Sequence, residues 1–230
     1  MNKILGFIST LVFVLSANSQ EILNEKIDSL YREDQFYAGV TYNLIENLPN
    51  GMSQTGFSSG FHFGFIRDMP INKRRNVAIG LGLGYSANSF NQNLLINKDD
   101  FGTVTYTILE AASTYTKNKF SSHLIEIPFE FRWRTSTPES YNFWRIYTGF
   151  KIGYMLTHTT KYRGDLGALR FTDINAFNSL QYGLTLSAGY NTWNIFLYYG
   201  LNPIFSDEAK LDGDNLNINA FKLGLIFYIL

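Results

Sequence analysis

The chain has 230 residues, with 19 acidic and 19 basic side chains for a formal net charge of zero, and no cysteine. That balance lacks the basic surplus of a nucleic-acid binder, and the missing thiols exclude disulfide staples, thiolate metal sites, a cysteine nucleophile and a lipid anchor on cysteine. Aromatic and charged residues each make up 17%, the latter below the usual quarter or so, and beyond the N-terminus no apolar run is long enough for a membrane-spanning helix.

Lys3, the apolar run Ile4 to Leu15 and the small-residue site Ala17-Asn18-Ser19 read as a secretory signal peptide over residues 1–19. The apolar run is too short for an anchoring helix. Residues 20–34 are a polar periplasmic lead-in, in which Leu23, Ile27 and Leu30 fall at helical spacing. A short amphipathic helix and a mobile segment both fit it.

Residues 35–230 carry a different signal, alternation with period two. A strand sends successive side chains to opposite faces, and eight segments have one apolar face: near Phe36 to Ile45, Ser59 to Arg67, Asn76 to Ala87, His123 to Arg134, Phe143 to Thr157, Ser179 to Tyr190, Trp193 to Leu201 and Ala220 to Leu230. In the fourth, His123, Ile125, Ile127, Phe129, Phe131 and Trp133 oppose Leu124, Glu126, Pro128, Glu130, Arg132 and Arg134. Such a segment is long enough to cross a bilayer as a tilted strand, which needs roughly 9–11 residues. Pro128 lacks an N–H for the ladder and predicts a bulge.

The connections alternate between long (Glu46 to Ser58, Asn88 to Phe120, His158 to Asn178, Asn202 to Asn219) and short (Asp68 to Arg75, Thr135 to Asn142, Asn191-Thr192). Short periplasmic turns and longer external loops are the rhythm of outer-membrane barrels. Val104, Tyr106 and Ile108 alternate with threonines. This segment is expected to be β-structure above the membrane, because a ninth crossing would place a short turn outside. A ten-stranded barrel is the alternative. The fold class is therefore all-β: an antiparallel up-and-down transmembrane β-barrel of eight strands, monomeric, in the outer membrane and surrounded by its lipid.

A soluble barrel would put its apolar face inside. The opposite assignment rests on the other face, which carries glycines and the charges Glu126, Glu130, Arg132, Arg134, Arg145, Lys151 and Lys222, with Tyr147 and Tyr198. Both signs are present, as a paired interior network requires. Trp133, Trp144 and Trp193 all fall at the periplasmic ends of their strands, where an aromatic girdle marks the membrane interface. With long side chains filling a lumen of this size, a porin role is not expected.

The candidate chemistry is sparse, and no catalytic, cofactor or metal residues are assigned. His62, His123 and His158 lack metal-ligand companions at hairpin or helical spacing. His123 shares a face with Ser121, the only basis for a lipid-modifying enzyme, and nothing marks an orienting acid or an oxyanion hole. Glu126 and Glu130 would lie about 13 Å apart along a strand, beyond either glycosidase spacing. Arg67, Lys73, Arg74, Arg75, Arg132, Arg134 and Arg145 gather at the periplasmic end, where an acidic partner, lipid phosphates or plain solvation would each suit them.

The run Ile125-Glu126-Ile127-Pro128-Phe129-Glu130-Phe131-Arg132-Trp133-Arg134, with Phe143-Trp144-Arg145-Ile146-Tyr147-Thr148-Gly149-Phe150-Lys151 and the turn Gly189-Tyr190-Asn191 before Trp193, resembles the PorT-like outer-membrane β-barrel family of Bacteroidota. The resemblance implies the barrel fold, an outer-membrane location and a non-enzymatic accessory role among envelope proteins, with type IX secretion and gliding machinery as the partners of the family's founding member. A surface-binding or adhesion barrel working through Asn88 to Phe120 is the interaction alternative.

Overall fold

The computed structural model describes residues 33–110, 113–136 and 143–229. The signal-peptide segment and residues 20–32 of the lead-in lie outside the described residues. In chain order the strands are β1 (Gln35–Glu46), β2 (Ser59–Pro70), β3 (Val77–Asn91), β4 (Leu94–Lys98), β5 (Val104–Ile108), β6 (Tyr115–Arg134), β7 (Trp144–Gly164), β8 (Gly167–Thr172), β9 (Leu180–Tyr190), β10 (Trp193–Gly200), β11 (Lys210–Leu211), β12 (Asp214–Asn215) and β13 (Asn219–Ile229).

Eight of them, β1, β2, β3, β6, β7, β9, β10 and β13, each pair antiparallel with the previous and the next, and the β1–β13 ladder joins the two ends. Closure leaves no free edge, so the sheet is an eight-stranded up-and-down barrel. The ten-stranded alternative is excluded, because β5 pairs with β4 in a separate hairpin within the third long connection.

The wall is apolar because alternate residues leave the lumen. Phe61, Phe63, Phe65, Leu81, Leu83, Ile127, Phe129 and Phe131 stand outward on three adjacent strands and are 36–61% exposed. Soluble monomers rarely expose contiguous apolar patches above a few hundred Å², whereas hydrocarbon removes the cost. Glycines on the inner face make room for large partners. A Cβ on Gly84 would strike the Tyr37 hydroxyl, and one on Gly80 would sit 2.8 Å from Arg132 Nε. Tyr37 and Arg132 therefore lie over the inner face of β3, in the space its missing side chains leave.

Two local expectations are corrected. The bulge is not at Pro128. Pro128 pairs in register with Lys151, and its other ladder carries Leu81–Phe129 and Gly84–Glu126 with no pair between. The missing N–H is absorbed by that gap rather than by an extra residue. The β6–β7 ladder shifts register twice, once at its far tip between Tyr115–Gly164 and Lys117–Arg163, and once between His123–Thr157 and Leu124–Met155, where Leu156 is the additional residue. A bulge bends and twists a strand, and this one sits where β6 and β7 leave the apolar belt.

The second correction concerns length. β6 and β7 run for 20 and 21 residues, about twice what a bilayer crossing needs. Above His123 and Thr157 they continue paired to Tyr115 and Gly164, and β8 folds back onto β7 to make a three-stranded ribbon. The long connections close over the same end. Phe90, Leu94, Ile96, Phe120, Phe177, Phe205, Leu216 and Ile218 are buried together there, so this end carries an apolar core of its own above the barrel mouth.

Candidate functional site

The lumen holds two polar layers. The layer nearer the short turns is centred on Asp68, which the inward parity of His62, Ile66 and Asp68 on β2 delivers to the interior. Arg134 donates to it as a fork, Nη1 to Oδ1 and Nη2 to Oδ2 at 2.8 Å each. Arg132 Nη1 donates to Oδ1 at 3.0 Å, while its Nε donates to Glu130 Oε2 at 3.0 Å. Arg134 Nε lies 3.6 Å from Glu33 Oε1. Arg132 and Arg134 are 0% exposed. The Arg132 guanidinium also stacks 4.5 Å from the Tyr147 ring centroid, and Tyr147 meets Tyr228 edge-on at 5.4 Å. Bidentate charge-assisted bonds of this kind fix geometry as well as charge, and together with the stacked rings they fill the cross-section.

The second layer lies nearer the barrel's middle. Lys151 Nζ donates to Glu126 Oε2 at 2.9 Å and Ser86 Oγ donates to Glu126 Oε1 at 2.8 Å. His62 Nδ1 is 3.8 Å from the same carboxylate, with its Nε2 3.1 Å from Thr41 Oγ1. Lys222 makes no salt bridge among the described residues, and its ammonium lies 4.8 Å from the Tyr198 ring centroid. Above this layer is a cavity of about 30 Å³, bounded by Glu126, Lys151, Tyr198 and Lys222, room enough for water.

The residues singled out from sequence therefore fall as follows. Glu126, Glu130, Arg132, Arg134, Arg145, Lys151 and Lys222 are all buried on the inner face. They form two layers rather than one network. Arg145 is held against aromatic faces, 4.5 Å from the Phe143 ring centroid, and Lys222 against Tyr198; neither makes a salt bridge among the described residues. Trp133, Trp144 and Trp193 are outward at the short-turn end, where Trp144 and Trp193 both register with Tyr190. The seven basic residues of that end do not share a surface. Arg132, Arg134 and Arg145 are inside, Arg67 is outside and 3.2 Å from Asp34, and Lys73 and Arg74 are exposed in the turn. His123 faces outward, its Nδ1 2.6 Å from the Tyr85 hydroxyl.

Sequence reading missed Asp68 and Glu33. Asp68 lies one residue beyond the strand end assumed at Arg67, and carrying the two-residue period one step further places it inside. Glu33 carried no signal, since it precedes the first alternating segment. Among the described residues no cluster of three or more His, Asp or Glu is arranged to hold a metal ion.

A closed meander with an apolar wall, an aromatic rim at one end and buried ion pairs in its lumen is a membrane β-barrel. The chain matches the family described as outer membrane protein beta-barrel domain over residues 17–206, and it belongs to that family. Its place is the outer membrane, and barrels of that membrane have short periplasmic turns and longer external loops. No curated protein matches the sequence. Among solved structures it is similar to Ail, the attachment invasion locus protein of Yersinia pestis, with 13% identity and a TM-score of 0.37 over 87% of this chain and 100% of that one. The same protein in complex with the heparin analogue sucrose octasulfate gives 13% identity and a TM-score of 0.36, with the same coverage. A mutant Rh. blastica porin gives 11% identity and a TM-score of 0.15 over 86% and 100%.

Proposed function

We propose that this chain is a non-conducting, non-enzymatic barrel that acts as an interaction protein of the outer membrane. The observation that carries the reading is the Asp68–Arg132–Arg134 layer with Tyr147 and Tyr228, fully buried across the lumen. A barrel of this strand number has an interior just wide enough for its own side chains. With that interior occupied, what remains for function is the external cap, the periplasmic rim and the wall. The PorT-like motifs on β6 and β7 point to envelope partners, and type IX secretion or gliding machinery is the specific assignment we take from them. The outward placement of His123 on Tyr85 supports a structural role for that histidine rather than a catalytic one.

A second reading, surface binding through the third external connection, is favoured by the β4–β5 hairpin. Leu94, Leu95 and Ile96 anchor it, while Phe101 at its tip is 96% exposed. Two experiments separate the readings. Gene deletion is expected to reduce secreted cargo or motility, and unchanged secretion and motility remove the machinery assignment. Excision of residues 99–103 is expected to leave insertion intact and, under the second reading alone, to abolish surface binding. Planar-bilayer recording tests the shared premise: porin-scale conductance from the purified barrel would overturn it.

A further inference from the structure

The ribbon that β6, β7 and β8 raise above the membrane has two unlike faces. Its inner face packs on the cap: Phe120 and Tyr162 are buried there, with Leu169 and Phe171 against them. Its outer face carries Lys117, Lys119, Lys161, Arg163 and Arg170. These are direct cross-strand neighbours, Lys119 opposite Lys161, Lys161 opposite Arg170, and Lys117 opposite Arg163. Like charges placed opposite each other destabilise a sheet. None of the five makes an ion pair among the described residues; Lys119 donates only to Ser89 Oγ, at 3.1 Å. Burial and the neighbouring Lys117 and Lys161 together pull the Lys119 ammonium below its ordinary range. A fold that lines up cations at its own expense supplies a surface that an anion would stabilise.

The direction of this face narrows the choice of anion. It continues downward through Ser121, Thr159 and Thr172 to His123, and then to the lipid-facing Ile125 and Tyr154. The cations therefore point sideways, in the plane of the membrane, and not up into the medium. Lys119 lies four residues above His123, about 13 Å along the strand and about 10 Å vertically at a usual barrel tilt. That is the depth of the headgroup layer, allowing for lysine stems that bend toward it. We propose that the outer face of the β6–β7–β8 ribbon binds the phosphate groups of anionic glycolipid in the outer leaflet, holding charged lipid against this side of the barrel.

The test uses the full barrel in nanodiscs of phosphatidylcholine containing a minor fraction of bis-phosphorylated lipid A, and measures lipid retained after transfer to mild detergent by native mass spectrometry. The wild-type protein is expected to retain lipid A over phosphatidylcholine. Lys119→Gln/Lys161→Gln/Arg170→Gln is expected to lower that preference roughly 100-fold, at about fivefold per cation. Lys98→Gln/Lys210→Gln, which removes cations elsewhere in the external loops, should leave it unchanged, and Lys119→Arg/Lys161→Arg should preserve it. Folding of each variant is checked by heat-modifiable electrophoretic mobility. If the triple variant does not fold, the single Lys161→Gln and Arg170→Gln changes are each expected to cost about fivefold. Equal retention by the folded variants overturns the proposal. So does equal retention of dephosphorylated lipid A, or a charge-dependent affinity found only for a soluble sulfated glycan or for inorganic phosphate.

Discussion

Replacing Asp68 by asparagine tests the central energetic claim about the lumen. The change keeps shape and one acceptor oxygen but removes the charge that receives three guanidinium bonds at 2.8–3.0 Å. Breaking a buried pair by removing one partner costs about 3–5 kcal/mol, mostly because the surviving charge stays buried. Here each arginine keeps other partners. Arg132 retains Glu130 at 3.0 Å and the Glu33 carbonyl at 3.3 Å, and Arg134 retains the Arg75 carbonyl at 3.0 Å. The expected loss is therefore at the lower end, about 3 kcal/mol. Equilibrium urea unfolding in detergent micelles, followed by the fluorescence of Trp133, Trp144 and Trp193, measures it at the end of the barrel where the change is made. Asp34→Asn is the control: its partner Arg67 is half exposed, and such pairs contribute about 1 kcal/mol or less. Asp68→Leu combined with Arg134→Met should recover most of the loss, since apolar replacements of buried ion pairs are often neutral. If Asp68→Asn unfolds within about 0.5 kcal/mol of wild type, as an ordinary surface substitution does, the lumen is wetter and less constrained than its packing implies.

Three further outcomes follow from other parts of the molecule. Gly149→Ala should destabilise the barrel by about 1–3 kcal/mol, because the added Cβ meets the Phe129 carbonyl oxygen and lies 2.9 Å from Glu130 Cα; the same urea titration reads it, and an unchanged midpoint would mean that β6 and β7 can part locally at no cost. In the extramembrane part of β7, burial against the Asp173 to Phe177 loop holds His158 below the ordinary imidazole range, so the state with that loop unfolded binds protons more readily than the folded one. The loop is then fully stable above about pH 6.5 and loses stability as the pH falls from there toward the lowered folded value. Hydrogen exchange at Asp173 to Phe177 should accelerate over that interval relative to His158→Phe, and identical profiles would dismiss the effect. Brominated lipids should quench the fluorescence of Trp144 and Trp193, which are 60% and 63% exposed on the outer wall, and the absence of quenching would place the rim outside the membrane interface.

Period-two alternation made the eight crossings legible because hydrocarbon accepts only apolar groups on one side, so Phe61, Phe63 and Phe65 or Leu81 and Leu83 leave no doubt about parity. The same rule failed once the chain left the hydrocarbon. Above His123 the outward side becomes Ser121, Lys119 and Lys117, polar like any loop, so alternation alone assigns the raised ribbon to a connection. The β4 strand was missed for a related reason: Leu94-Leu95-Ile96 is a short apolar run without alternation, buried by a cap that forms from distant segments. The inner face was readable in composition but not in pairing. Parity places Lys222 inside, yet its aromatic neighbour Tyr198 depends on how β10 is staggered against β13, which no local pattern encodes; Phe143, two residues before Arg145, shares its face by alternation alone.

The roof over the barrel mouth draws its buried side chains from segments as far apart in sequence as Phe90 and Ile218. Those segments are held together over a barrel that the β1–β13 ladder closes. An antibody that recognises the assembled roof would therefore count finished cylinders and ignore half-inserted ones, which makes the exposed surface of this molecule a readout of its own biogenesis.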